Sequence, residues 1–175
     1  MIICKDCPLR LYNTKGYNLQ GVGNPWYGNC IVVPNVDYKA YKGKSMSFST
    51  QVEIIEDILS LSTGEMDCKV YIVPLIRCNE QISCEVDDAT IKRCLMLFAQ
   101  DVKKYDFKRI LLLGTAAKRF LDIDLPISEL IDKYYISHNS RRYEVNYSPL
   151  VKYNDKIEYF ELFSTKLKQW YYDYK

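Results

Sequence analysis

The sequence predicts an α/β fold, a three-layer α/β/α sandwich around a central, mainly parallel sheet of four strands, on three observations. Apolar, strand-like runs alternate with amphipathic helical stretches along most of the chain. Such alternation implies right-handed crossovers and a parallel sheet covered on both faces. No internal repeat and no linker rich in glycine or proline interrupts it, so residues 1–175 read as a single domain.

The elements follow in order. CIVVP (30–34) is a short apolar run followed by turn-forming Asn35 and Asp37, and reads as a buried strand. TQVEIIEDILSL (50–61) sets Val52, Ile55, Ile58 and Leu59 on one helical face, with Thr50 and Glu53 at capping-box spacing. KVYIVPLI (69–76) is a second strand carrying a proline. DDATIKRCLMLFAQDVKKY (87–105) is a long helix with acids in its first turn and lysines in its last. RILLLG (109–114) is the clearest strand, and Gly114 and Thr115 open a short helix through AAKRFL. RRYEVNYSP (141–149) is the fourth strand, and Phe160, Phe163, Leu167 and Trp170 mark a C-terminal helix. In such sheets ligands bind beyond the carboxyl ends of the strands, here the loops after Pro34, after Ile76, at Gly114 and near Ser148.

Composition narrows the classes. The chain is 48% hydrophobic and 26% charged, as expected of a globular protein with a core. No apolar run reaches the roughly 18 residues of a membrane span, and the N-terminus lacks a signal-peptide pattern, so a cytoplasmic protein without membrane contact is expected. A net charge of +2 excludes a histone-like polycation but leaves room for a local basic patch. The sixteen tyrosines suit base stacking or interfaces, though biased composition accounts for them equally well. One histidine excludes a His-rich metal site, and no Ser-His-Asp order or HExxH occurs. Gly43-Lys44-Ser45 ends like a phosphate loop, but Tyr38 stands where the first glycine belongs.

Seven cysteines, an odd number, exclude complete disulfide pairing and favour metal or redox chemistry in a reducing compartment. Cys4 and Cys7 form a C-x2-C pair at the N-terminus. Cys78 follows the second strand, and Cys94 lies one to two turns into the next helix. Residues so placed converge on one corner of the sheet, where an N-terminal arm completes four thiolates. That complement serves a 4Fe-4S cluster or a structural zinc; the alternative is an incidental pair beside buried thiols. Cys30 and Cys68 read as core residues, and Cys84 is the alternative ligand between Cys78 and Cys94.

Taken together, CKDCPLR, CIVVP with its polar loop, VYIVPLIRC, Cys94 in IKRCLMLF, and KRILLLGTAAKRFL resemble the iron-sulfur uracil-DNA glycosylases, families four and five of that superfamily. The resemblance runs from Cys4 to about Pro149. It implies a uracil-DNA glycosylase-like fold, and a mainly structural 4Fe-4S cluster on Cys4, Cys7, Cys78 and Cys94. It also implies an impaired active site. Where relatives carry a Gly-Glu-x-Pro-Gly type loop this chain has PNVDY, leaving Asn35 and Asp37 as the candidate catalytic residues for positioning water. Where relatives hold the uracil edge with asparagine it has Pro74, and where they stabilise the leaving group with a His-Pro pair it has Ser148 before Pro149. His138, in HNSRR, reads as a turn residue.

Binding features are better kept. DYKAYKGKSMSFS mixes Lys39, Lys42 and Lys44 with Tyr38, Tyr41 and Phe48, a pairing of phosphate binders with stacking rings, and relatives place a stacking phenylalanine in this loop. Arg141, Arg142 and Lys152 are expected to extend a basic track past Ser148. The favoured expectation is therefore a catalytically degenerate glycosylase-fold protein acting in replication or repair. It binds DNA, single-stranded or with a flipped base, or a replication or repair protein. The alternatives are an active glycosylase with a rearranged pocket, and a protein-interaction module whose aromatic tail WYYDY contacts a partner.

Overall fold

The computed structural model describes residues 7, 18–79, 86–133, 135–137, 139–153 and 157–173. The described chain is α/β. Its strands are β1 (Val22–Gly23), β2 (Asn29–Val36), β3 (Tyr71–Asn79), β4 (Arg109–Leu113), β5 (Tyr135–Ile136) and β6 (Arg142–Asn146). Its helices are α1 (Tyr38–Gly43), α2 (Thr50–Leu59), α3 (Asp88–Tyr105), α4 (Thr115–Leu121), α5 (Ile127–Leu130) and α6 (Ile157–Tyr172).

The sheet corrects the expectation of four strands. It is six-stranded and mixed, in the order β1-β3-β2-β4-β6-β5. The four strands read from the sequence lie together at its centre, with β2 parallel to β3 and β4, and β4 parallel to β6. The additions are edge strands of two residues each, antiparallel to β3 and β6. Segments so short carry no hydrophobic period of their own, and only pairing defines them.

Both faces of the central strands are covered, which is why these strands read as unbroken apolar runs. On one face Ile31, Val33, Ile72, Leu111 and Leu113 pack with Val52, Ile55 and Leu59 of α2 and Phe163, Leu167 and Trp170 of α6. On the other, Cys30, Val32, Val73, Leu75, Ile110 and Leu112 pack with Phe98 of α3, Ala116 and Ala117 of α4 and Leu130 of α5. Each strand thus sends alternate residues to opposite layers.

β2 runs past Pro34, where a strand end was expected. Its pairing with β4 stops at Val32↔Leu112, so Pro34 has only β3 beside it, and Asn35 and Val36 continue along that neighbour. A register shift falls there, Asn35↔Ile76 being followed by Val36↔Asn79, so β3 carries two extra residues, Arg77 and Cys78. Such a bulge bends the strand and re-aims its side chains. The cap of α2 also differs from the expected box. Ser49 is the N-cap, its hydroxyl accepting from the Gln51 amide, and Thr50 is the first helical residue. Asp87 caps α3, accepting from the Thr90 amide at 2.7 Å.

Candidate functional site

The carboxyl ends of β2, β3, β4 and β6 form one edge, and the predicted site residues divide among three places along it. The first is a corner at the end of β3. Buried Ile76 and Cys94 form a small apolar cluster against which Cys7, Cys78, Val86 and Ile91 pack. The bulge delivers Cys78 to this corner, and α3 presents Cys94 one turn beyond Thr90, so the two lie on the same helical face. Thr90 is buried and meets the Cys7 sulfur across 3.8 Å. Cys7 therefore sits beside the first turn of an 18-residue helix.

None of the five described cysteines is in a disulfide. Three of the four proposed ligands share one apolar pocket, a shell that suits sulfur ligation. Their sulfurs are not drawn in to a common centre: among the described residues no three His, Cys, Asp or Glu side chains are arranged to hold a metal ion. Cys4, the fourth proposed ligand, and Cys84, the alternative, lie outside the described residues, as does His138. Cys30 and Cys68 are buried in opposite layers, as core residues.

The second place is the exit of β2. Asn35 is half-buried, and its carbonyl accepts from Gln51 Nε2 at 2.9 Å. Asp37 is committed to structure: it caps α1, Oδ1 accepting from the Ala40 amide at 3.0 Å, while Oδ2 accepts from the Ser49 hydroxyl at 2.5 Å. A carboxylate so engaged orients the loop and has little freedom to move a water. Gln51 escaped sequence reasoning. Fully buried on α2, it ties that helix to the β2 exit; its only signal is an amide where the helical period calls for an apolar residue.

Beside this exit lies an open groove of about 630 Å³ between α1 and α2, lined by Lys39, Lys42, Phe48, Glu53 and Glu56 among others. Phe48 is 58% exposed. Its ring lies over Gly43, where an added Cβ would meet Phe48 Cδ2 at 2.3 Å, so a side chain at 43 would displace the ring. Lys42 is exposed in the last turn of α1, and Lys44 caps that helix in a left-handed conformation. Lys39 pairs with Glu53 at 3.2 Å, both side chains exposed, so part of its charge is already answered.

The third place is the junction of β4 and β6. Gly114 has φ 54°, ψ −131°, and a Cβ there would lie 2.9 Å from Ser148 Cβ. Ser148 is half-buried against it, its hydroxyl accepting from the Leu150 amide at 3.3 Å at the head of a 3-10 turn, Pro149–Tyr153. Asn146, fully buried at the end of β6, donates to the Phe163 carbonyl and is also structural. Pro74 is paired with Val33 inside the sheet.

One expectation fails here. Arg142 begins β6 and Arg141 directly precedes it, whereas Ser148 follows the strand's end, so the guanidinium groups belong to the opposite edge and do not extend the basic track. They are also engaged, Arg141 with Asp106 and the Phe107 carbonyl, and Arg142 with Glu144. The aromatic tail is divided between core and surface, Tyr172 being 58% exposed. Trp170 is buried under Arg109, whose guanidinium carbon stands 5.0 Å from the ring centroid, and Tyr172 donates to the Leu59 carbonyl.

No described helix is long and apolar enough to cross a membrane. In comparison with known proteins, the chain matches no family model and no curated protein.

Proposed function

We propose that this chain is a DNA-binding iron-sulfur protein with a three-layer fold like that of the uracil-DNA glycosylases and little or no capacity to excise uracil. One observation carries the reading: Cys7, Cys78 and Cys94, far apart in sequence, meet in one apolar corner beside the carboxyl edge of the sheet. In that reading Cys4 completes a four-thiolate set around a 4Fe-4S cluster, which pins the N-terminal arm to α3 and β3. Zinc is the alternative occupant, and metal and sulfide analysis of anaerobically purified protein separates the two.

The weak catalytic capacity is supported by how the candidate groups are employed. Asp37 is a helix cap and Ser148 caps a turn, which leaves Asn35 as the polar group nearest the water position. Pro74 and Ser148 stand where the resemblance puts the groups that hold the pyrimidine edge and the departing anion, and losing such donors costs several kcal/mol each, about a hundredfold or more in rate. Binding falls to Lys42, Lys44 and the exposed Phe48 ring, with Lys39 adding a screened charge.

The test is a pair of assays on the clustered protein. Single-stranded DNA should bind with an affinity that falls steeply as salt rises. A uracil-containing strand should remain intact; efficient release of uracil overturns the degenerate reading. Protein purified anaerobically without iron, sulfide or zinc overturns the cluster.

A further inference from the structure

The thiols of the cysteine corner differ in who can reach them. Of the five described cysteines, Cys30 and Cys68 are shut in the core at 0% and 4% exposure, and Cys94 is 6% exposed. Cys7 and Cys78 are half-buried and meet solvent. A dissolved oxidant therefore encounters Cys7 or Cys78 before Cys94. The three nevertheless share one small pocket, Cys7 and Cys78 packing against the cluster of Ile76 and Cys94. Accessible thiols beside a covered one suit thiol–disulfide exchange, in which an outer sulfur takes up half of the oxidant and an inner sulfur displaces it.

Geometry selects Cys7 as the outer partner. Its sulfur is 3.8 Å from the Thr90 hydroxyl oxygen, and Thr90 and Cys94 are one turn apart on α3, where Cβ atoms four residues apart stand roughly 6 Å from each other. That places Cys7 within a side chain's reach of Cys94. A disulfide needs Cα atoms roughly 4.4–6.8 Å apart with their Cβ vectors turned toward each other. Cys78 is fixed in β3 and Cys94 in α3, so their spacing is set by how the helix packs on the sheet. Cys7 is in neither helix nor strand and can take up the spacing a bond requires.

We propose that Cys7 is a site of modification by low-molecular-weight disulfides such as glutathione disulfide, with Cys94 as its resolving thiol and a Cys7–Cys94 bridge as the product. The Cys7 sulfur attacks one sulfur of glutathione disulfide; that S–S bond breaks, a mixed disulfide forms on Cys7, and the first glutathione leaves with the Cys7 proton. The Cys94 sulfur then attacks the Cys7 sulfur, and the second glutathione leaves with the Cys94 proton. One glutathione disulfide is reduced to two glutathiones as two protein thiols are oxidised. The inference rests on the reading of this corner as a thiol site and deepens it. A bridged chain has given up two of the four thiolates, so it cannot hold the cluster until a reducing thiol reopens the bond.

The experiment incubates the full chain, freed of metal by a chelator and fully reduced, with glutathione disulfide, blocks the remaining thiols and maps tryptic peptides by mass spectrometry. Cleavage after Lys5, Arg10, Arg93 and Lys103 puts Cys7 in DCPLR and Cys94 in CLMLFAQDVK, apart from Cys4 and from the peptide that carries Cys78 and Cys84. The expected product joins DCPLR to CLMLFAQDVK, is separated by dithiothreitol, and leaves Cys30 and Cys68 as thiols. In Cys94→Ser, its folding checked by circular dichroism, the reaction should stop at the glutathione adduct of Cys7. Cys7→Ser, outside the helices and strands, should leave CLMLFAQDVK unmodified. A bridge from Cys7 to Cys4 or Cys78, no bridge in the native chain, or an adduct as persistent in the native chain as in Cys94→Ser overturns the proposal. Iron and sulfide content of the reduced, anaerobically purified chain judges the cluster separately, since the bridge forms without metal.

Discussion

Gly114 occupies a backbone conformation that a side chain resists twice over, by its positive φ and by the approach of Ser148. Gly114→Ala should therefore destabilise the fold by about 2 kcal/mol in denaturant unfolding. Adding Ser148→Gly should restore only part of that loss, because space returns while the dihedral strain remains. Asp37 makes a different kind of contribution. Asp37→Ala removes the α1 cap and leaves the Ser49 hydroxyl without its acceptor, for an expected loss of about 2 kcal/mol. If Asp37 instead served catalysis, the same variant would abolish a measurable excision rate with little change in stability. At this scale the sequence was only partly legible. A glycine ending an apolar strand marks a turn, but the identity of the residue crowding it, 34 positions onward, depends on the β4–β6 pairing.

Among the elements, β3 carries the most deeply buried ion pair of the described residues. Arg77 of its bulge is 3% exposed and forms an ion pair with Asp101 of α3, itself largely covered. Asp101→Ala strands a buried guanidinium and should cost about 3–5 kcal/mol, whereas removing both charges together as Arg77→Met with Asp101→Leu should cost much less. Chemical denaturation of the two variants decides it; equal losses would mean that the pair is not the source of the effect. β2 offers a pH-dependent counterpart. Burial, reinforced by Asp101 and partly offset by Arg77, holds the Cys30 thiol well above its ordinary pKa. The unfolded chain gives up that proton near the usual thiol value of about 8.5, while the folded chain keeps it. Cys30 thus favours the fold fully below that pH, and its contribution is lost as pH rises toward the folded-state pKa. Stability should fall on going from neutral to alkaline solution, and Cys30→Ala should flatten the decline. Cys68 and Tyr71, also raised chiefly by burial, leave a residual slope of the same sign. The central strands and long helices were legible because burial on two faces or on one stripe leaves a period in the sequence. The two edge strands and the bulge were not, since both arise from pairing between distant segments.

At the scale of the whole molecule, the parallel sheet gives the chain two chemically distinct rims. The carboxyl rim gathers the cysteine corner and the lysine-lined groove with Phe48; the amino rim gathers paired arginines and a tyrosine-walled cavity with Asp67 in its lining. Charge substitutions should separate them. Lys42→Glu should weaken DNA binding and lower its salt dependence, while Asp67→Lys should leave DNA binding unchanged, both read by titration across a range of salt concentrations. Phe48→Ala should weaken single-strand binding by about 1–3 kcal/mol if a base stacks there. The fold class was legible because strand and helix alternate in order. The cysteine corner was legible only as a convergence, because spacing fixes which elements bring Cys78 and Cys94 near one another but not how closely their sulfurs approach.

The two tryptophans stand at opposite extremes of accessibility, Trp26 71% exposed and resting edge-on against Tyr105, Trp170 buried beneath Arg109. The protein thus contains its own pair of optical reporters. An aqueous quencher reaches the first and not the second in the native state. In a Trp26→Phe variant the remaining emission shifts to longer wavelength only when α6 leaves the sheet, which makes the opening of that layer directly visible without any added label.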